Sequence, residues 1–542
     1  MNKKFNKILS VGLSVCMVAV IAGCSSRENP NSSVVPVDST KSQLYVSNFN
    51  GGVGFEWLNK LATRFEEDFA ETSFEEGKKG VQVRITNHKG IALSTIPQSK
   101  DEVYFLEEVN YYDAIYSGYA LDITEMVTEP LTAYGETQSI ADKLYDTQLD
   151  YWRTSNGKYY GIPHVQSPTV ITYDIDLFNR LNLFFDENGE IGKKNTDNGL
   201  GKGPDNKAGT YDDGLPATYA DFYRLCDTMK GRGVDPMIWS GMYPFYLSNF
   251  IAQMKSDYEG ADEAKLAFTF DGTATKLVES IDANGNITFR DPVTITEENG
   301  YEVYNSAGFY YAYDFIEEII NKNYYANKSF NEGTSHTDAQ SLFLLSSFTS
   351  EKDIGMLVEG LWWVNEANPT FKQMSSFQGA SLMERNLGVM PLPKATTKEL
   401  GQKAVLLDTI NQAAFVSAYV AETKKELAKT FLQYTATQES LEEFVLTTGL
   451  PRGFNVDYSA VMNQLSPYTK SILNLFDNSD YVMSSSGASV FQKNYAVLEC
   501  EVMCGTDEYR YANIAIKEGK TALEMFNDIR NKFSAARWNN ML

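Results

Sequence analysis

The sequence predicts an α/β fold, and three observations carry that expectation. Short strand-like apolar runs alternate with amphipathic stretches of helical period from Ser42 onward. A glycine cluster, Gly51-Gly52-Val53-Gly54, follows the first such run and opens into a helix. The chain has 542 residues, 43% of them hydrophobic and 22% charged, enough for a large core in two or more domains.

The elements follow in order. "SQLYVSNFN" reads as a first strand. "FEWLNKLATRFEEDFAE" reads as a helix with Leu58, Leu61, Ala62, Phe65 and Phe69 on one face. "GVQVRITN" gives a second strand, and "DEVYFLEEVNYYDAIYSGYALDITEMV" gives a third strand followed by a helix. This order sets backbone N–H groups at the carboxyl edge of a sheet, where open α/β sheets hold ligands. The glycine cluster is not a dinucleotide fingerprint: its spacing differs, and Trp57 stands where a pyrophosphate needs room.

Before the first strand lies a segment to set apart from the fold. Lys3, Lys4 and Lys7 precede the apolar run "ILSVGLSVCMVAVIAG", which is shorter than a bilayer-spanning helix needs. The run ends in Ile21-Ala22-Gly23-Cys24 and resembles the bacterial lipobox. That resemblance implies a signal peptide over 1–23 and a lipidated N-terminus at Cys24. Residues 24–41 are polar and rich in Ser and Pro, the composition of a flexible tether. The expected product is an exported lipoprotein, anchored in the cell membrane and facing the extracellular or periplasmic side.

The formal charge is −24, and losing three lysines with the leader makes the chain more acidic still. Such a body argues against nucleic acid and against steering of anionic ligands, while leaving neutral ligands open. Aromatic residues reach 13%, an excess that needs a role. Beyond the leader and Cys24 the cysteines are Cys226, Cys500 and Cys504, too few for a disulfide scaffold. Cys500 and Cys504 stand at helical spacing, which suits packing better than a bridge. The three histidines, His88, His164 and His336, have no partner at zinc spacing.

From Tyr151 the chain reads "YWRTSNGKYYGIPHVQSPTVITYDIDLFNRLNL", with Asn156-Gly157 as a hairpin turn signal. The "NGKYYGIP" hairpin, a crossing strand and "YDIDLFNRLNL" resemble the extracellular solute-binding proteins of ABC sugar importers. Three later stretches fit in order. "DIGMLVEGLWWVNEA" is similar to that family's G-x-W motif, and "LGVMPLPK" to its strand-plus-proline segment. "KKELAKTFLQYTATQESLEEFVLTTGLPRG" is similar to its long return helix. The resemblance runs from about Leu44 to Arg452.

What it implies is a two-lobed, periplasmic-binding-protein-like α/β fold with the ligand cleft between discontinuous lobes. Lobe one would comprise 42–166 and 409–452, and lobe two 167–408 and 453–542. Hinge strands would run near His164–Ser167, Leu406–Thr409 and Gly449–Gly453. The implied partners are a carbohydrate ligand and the permease subunits of an ABC transporter with a cytoplasmic ATPase. The receptor itself would be a monomer, with no catalytic residues.

The chain carries two insertions. "FFDENGEIGKKNTDNGLGKGPDNKAGTYDDGLPATYADF" adds a hairpin and a polar loop before a helix capped near Thr218, and "ESIDANGNITFRD" adds a second hairpin. Asp205, Asp212 and Asp213 read either as part of a solvated loop or as oxygen ligands for calcium. They lack the alternation of an EF-hand.

Sugars present polar rims and C–H faces, so their sites pair flat rings with carboxylates and amides. Residues placed for that role follow strand ends: Trp57; Glu107, Asn110 and Tyr111; Trp239 and Tyr243; Trp362 and Trp363. Neighbouring tryptophans point in different directions, so one of Trp362 and Trp363 is expected in the cleft and the other in a core. Asp408 and His164 lie near expected hinges. The rival reading is an exported glycosidase, which needs two carboxylates across one bond. With 71 acidic residues a pair is uninformative, and the chain has no G-x-S-x-G, P-loop or H-E-x-x-H motif. A peptide receptor would carry fewer stacking rings.

Overall fold

The computed structural model describes residues 36–88, 91–498 and 511–542. The expected signal peptide, the Cys24 lipidation site, most of the tether and the Cys500–Cys504 pair lie outside the described residues.

Two four-stranded sheets organise the chain. In the first, Ser42–Asn48 is central and parallel to both Val81–Asn87 and Val103–Glu107, while the late strand Gln412–Val416 closes the edge antiparallel to Val103–Glu107. The register sets Ser42 opposite Val81 and Gln412 opposite Glu107. Strands buried on both faces tolerate continuous apolar sequence, and Val103–Leu106 is wholly buried. The helix Glu56–Asp68 covers this sheet with Trp57, Leu58, Leu61, Ala62 and Phe65 turned inward.

The second sheet has the order Leu387–Met390, Thr169–Asp174, Ile354–Gly360, Asp235–Ile238. Ile354–Gly360 runs antiparallel to Thr169–Asp174 and parallel to Asp235–Ile238. The helix Tyr219–Gly231 begins at Thr218 with a reciprocal capping box to Asp221. Both inserted hairpins form, Phe184–Phe185 with Ile191–Lys193 and Val278–Ile281 with Ile287–Phe289. In the polar loop the carboxylates accept N–H groups of the loop itself: Asp212 from Asp205, Asp205 from Lys207 and Asp213 from Gly209. Among the described residues no group of three or more His, Cys, Asp or Glu is placed to hold a metal ion.

Three segments cross between the sheets and are tied to one another. Val165 N–H donates to Gln412 Oε1 at 2.6 Å, and Thr409 Oγ1 donates to the Ser167 carbonyl at 2.6 Å. Arg452 Nε donates to the His164 carbonyl at 2.9 Å. Beside them Ala404–Asp408 pairs in parallel with Ser479–Met483 as a separate two-stranded ribbon.

Candidate functional site: a cavity between the two sheets

The first wall of the site is made where the parallel strands of the first sheet end. After Asn48 the chain turns through Gly52 and Gly54, both at positive φ (53° and 69°), a region glycine enters without a Cβ penalty. Val103–Glu107 ends differently: Glu108 stands at φ 53° although it carries a side chain. A non-glycine residue held there costs on the order of 1–2 kcal/mol. Its effect is to turn the chain sharply between Glu107 and Asn110. Asn110 then caps the helix Tyr111–Tyr116 by accepting from Asp113 N–H.

The facing wall is the end of Ile354–Gly360. A Cβ built on Gly360 would lie 2.2 Å from Cη2 of Trp362, so the indole folds back over the glycine and only glycine admits it. The two indoles diverge. Trp363 is fully buried, donates from Nε1 to Thr172 Oγ1 at 3.1 Å and meets Tyr468 edge-on at 5.7 Å. Trp362 is 9% exposed and lines a small cavity of about 10 Å³, room for about one water. Gly52, Val53 and Glu107 line it from the first sheet, and Val165, Gln166, Ser167, Ile410 and Leu450 from the crossing segments.

Beside Trp362 sits a buried polar cluster. The Gly52 N–H and the Trp362 indole N–H both face the Glu366 carboxylate, which therefore touches both walls. Gln340 Nε2 donates to it at 3.0 Å, and His336 Nε2 lies 3.7 Å away. Burial pushes the Glu366 carboxyl up, with His336 and these donors opposing. Glu359 is pushed well above the carboxylate range, first by burial and then by the Glu366 charge. One of its oxygens accepts Gly360 N–H at 3.0 Å. Burial and mutual charge thus displace both carboxyls toward the protonated form.

The residues singled out from the sequence separate into groups. Glu107 and Trp362 line the cavity. Asn110 bridges the two halves, its Nδ2 donating to Gln492 Oε1 at 2.8 Å. Tyr243 is 37% exposed, its ring 5.5 Å from His336. Four others lie buried. Trp57 is buried against Phe105 and Phe444 at 5.3 and 5.2 Å, because it occupies the inward face of its helix. Tyr111 is buried against Trp152, and Trp239 against Tyr325 and Phe330. Asp408 is fully buried and accepts from Ser167 Oγ, from Tyr481 OH at 2.8 Å and from Gln412 Nε2 at 3.1 Å. It clamps the crossing segments. His164 packs between Trp57 and Phe105 and is held neutral by burial and the Arg452 charge.

Gln166, Gln340, Glu359 and Glu366 were not found from the sequence. One signal was there: Trp362 and Glu366 stand four apart, one turn on a helical face.

No curated protein matches the chain. Among solved structures, the SBP RafE in complex with raffinose aligns with TM-score 0.52 and 13% identity, covering 92% of this chain and 100% of its own. The apo form of RafE from Streptococcus pneumoniae aligns with the same score and identity, covering 94% and 100%. At that identity the likeness is one of fold, two lobes about a cleft. The family model for bacterial extracellular solute-binding proteins matches residues 56–441, a span that takes in Glu107, the first crossing segment and Trp362. The chain belongs to that family.

Proposed function

We propose that this protein captures a neutral oligosaccharide in the cleft between its lobes, at the seam where Trp362 stands, and delivers it to the permease of an ABC transporter. The observation that carries the reading is the Trp362 indole, which lines an interlobe cavity opposite Glu107 and beside the Glu359–Glu366 pair. A ring supplies the platform for a sugar's C–H face, and the Glu107 carboxylate opposite it supplies an acceptor for hydroxyls. The acidic body disfavours an anionic ligand. That RafE was solved with raffinose supports the same class of ligand.

Lobe one is proposed as 42–166 with 409–452, and lobe two as 167–408 with 453–542. The crossing segments at 164–167, 408–412 and 450–452 would act as hinges, and ligand would shift the population from open to closed lobes. Lipidation at Cys24 would hold the monomer at the membrane. Among the described residues no helix is long and apolar enough to cross a membrane. A glycosidase finds less support, because the matched family is one of solute-binding proteins and the similar solved structures are of a sugar-binding protein.

The test is thermal unfolding of the chain from Ser25 onward with neutral mono- and oligosaccharides, followed by calorimetry. A ligand binding only the native state raises Tm. A rise that disappears in Trp362→Ala supports the reading. Sugar cleavage, or no rise across a broad glycan set, would sink it.

A further inference from the structure

The seam at Trp362 is tied shut as well as lined. Glu366 stands one helical turn beyond Trp362 and accepts two N–H groups, the indole's on its own wall and Gly52's on the facing one. One carboxyl group therefore fixes the ring and grips the opposite backbone. The walls are in direct contact there: a Cβ on Gly52 would lie 3.7 Å from the Trp362 ring.

A second pair of bonds joins the same two halves. Asn110 Nδ2 donates to Gln492 Oε1 at 2.8 Å, and Tyr116 OH donates to the Gly487 carbonyl at 2.9 Å. Asn110 and Tyr116 cap and end the helix that leaves the first sheet. Gln492 stands on the helix Ser489–Lys493, whose Val490 and Phe491 are buried in the core of the second sheet.

The cavity beside Trp362 has room for about one water, far less than ligand sites commonly enclose. No sugar unit enters while Gly52 stays on Glu366. The Gly52 N–H meets an oxygen acceptor supplied by the protein, and a solute hydroxyl is an acceptor of the same kind.

We propose that this closure excludes the solute and that Glu366 is its latch. The carboxyl group occupies the Gly52 N–H that a bound solute takes, and the Asn110–Gln492 and Tyr116–Gly487 bonds form a second tie. The solute then competes with an internal ligand, and its apparent affinity is scaled by the fraction of molecules with the latch released. This rests on the cleft being the solute site, not on the solute being a sugar.

The test is small-angle X-ray scattering with acrylamide quenching, on the chain from Ser25 onward and with no sugar added. Quenching reads Trp362, because the other five indoles are at most 2% exposed. The wild-type protein should scatter as a compact particle and quench little. Glu366→Ala should enlarge the radius of gyration and raise quenching. Glu366→Gln, whose side-chain carbonyl still accepts both N–H groups, should return both toward wild type. Tyr116→Phe removes one hydroxyl at the second tie and should open the protein to a smaller degree, which keeps the test decisive where Glu366→Ala does not fold. Identical scattering from the wild type and all three variants overturns the latch. So does a Glu366→Gln protein as open as Glu366→Ala, since the acceptor would then not be what holds the walls. Raised quenching in Glu366→Ala with unchanged scattering overturns it too, leaving Glu366 to the ring alone. No step uses a sugar, so a failed glycan screen sinks the carbohydrate reading and leaves this result as it stands.

Discussion

On the first-sheet side of the inner cavity the shaping is done by backbone. Gly52 turns at positive φ with its N–H toward Glu366, and the left-handed Glu108 swings the chain from Glu107 to Asn110. On the second-sheet side it is done by side chains: Trp362 folded over Gly360, and Glu366 held by Gln340 near His336. The first wall is fixed by local geometry and adds the Glu107 carboxylate. The second offers the ring, beside two buried carboxyls whose ionisation burial opposes. Recognition should therefore fail abruptly when the second wall changes and only gradually when the first does.

The largest expected effect separates the paired indoles. Trp362→Ala should weaken ligand binding by at least about 100-fold, the scale of a buried aromatic hot spot, with a smaller loss of stability than Trp363→Ala. Trp363→Ala should do the reverse, costing about 3–5 kcal/mol of stability from the emptied core. Calorimetry and denaturant unfolding on both variants read the two effects. Equal damage to binding and stability in either variant would erase the distinction drawn between them.

Gly360→Ala probes the same wall from beneath. The added methyl would stand 2.2 Å from the indole, so the ring must leave its place. Overpacking costs on the order of 1–3 kcal/mol, and the platform is lost with it. Indole fluorescence and affinity should change together. Affinity preserved in a folded Gly360→Ala protein would mean that the ring is not held by the glycine.

The buried Asp408 among the crossing segments provides a smaller, pH-dependent effect. Burial pushes the Asp408 carboxyl up to about 7, against hydrogen bonds that oppose the shift. The unfolded chain releases this proton near pH 4, while the native protein keeps it to about 7. The native state thus binds more protons across that window, and this contribution to stability falls as pH rises through it, by at most ~1.4 kcal/mol per pH unit. Asp408→Asn should remove that part of the slope. Identical profiles for variant and wild type between pH 4 and 7 would show that Asp408 ionises freely.

The same contrast explains what the sequence disclosed. The alternation of apolar runs with helical periods was enough for both sheets, because each strand carries its own pattern. "EGLWW" announced the second wall, since one of two adjacent indoles had to leave the core. Trp57, Tyr111 and Trp239 could not be oriented from sequence, because a ring near a strand end looks the same whether its helix turns it toward cleft or core. Periodicity could have placed Trp57, one residue before Leu58 on the buried face. Gln166 and the Glu359–Glu366 pair were hidden for another reason: in a chain with 71 acidic residues, only tertiary burial distinguishes two of them.

The smallest expected effect lies on the backbone-built wall. Glu108→Gly should relieve about 1–2 kcal/mol of left-handed strain and lose about 0.4–1 kcal/mol to greater freedom of the unfolded chain. The net is a slight stabilisation, of order 0.5–1 kcal/mol, visible as a small rise in the denaturant midpoint. Affinity should slip only slightly, because the turn from Glu107 to Asn110 keeps its path and merely gains freedom about it. A loss of binding comparable to that in Trp362→Ala would instead place the Glu108 carboxylate in recognition and make the first wall a chemical one. A loss of stability would show that its side-chain interactions outweigh the strain, so that the left-handed turn is held by contacts a glycine cannot make.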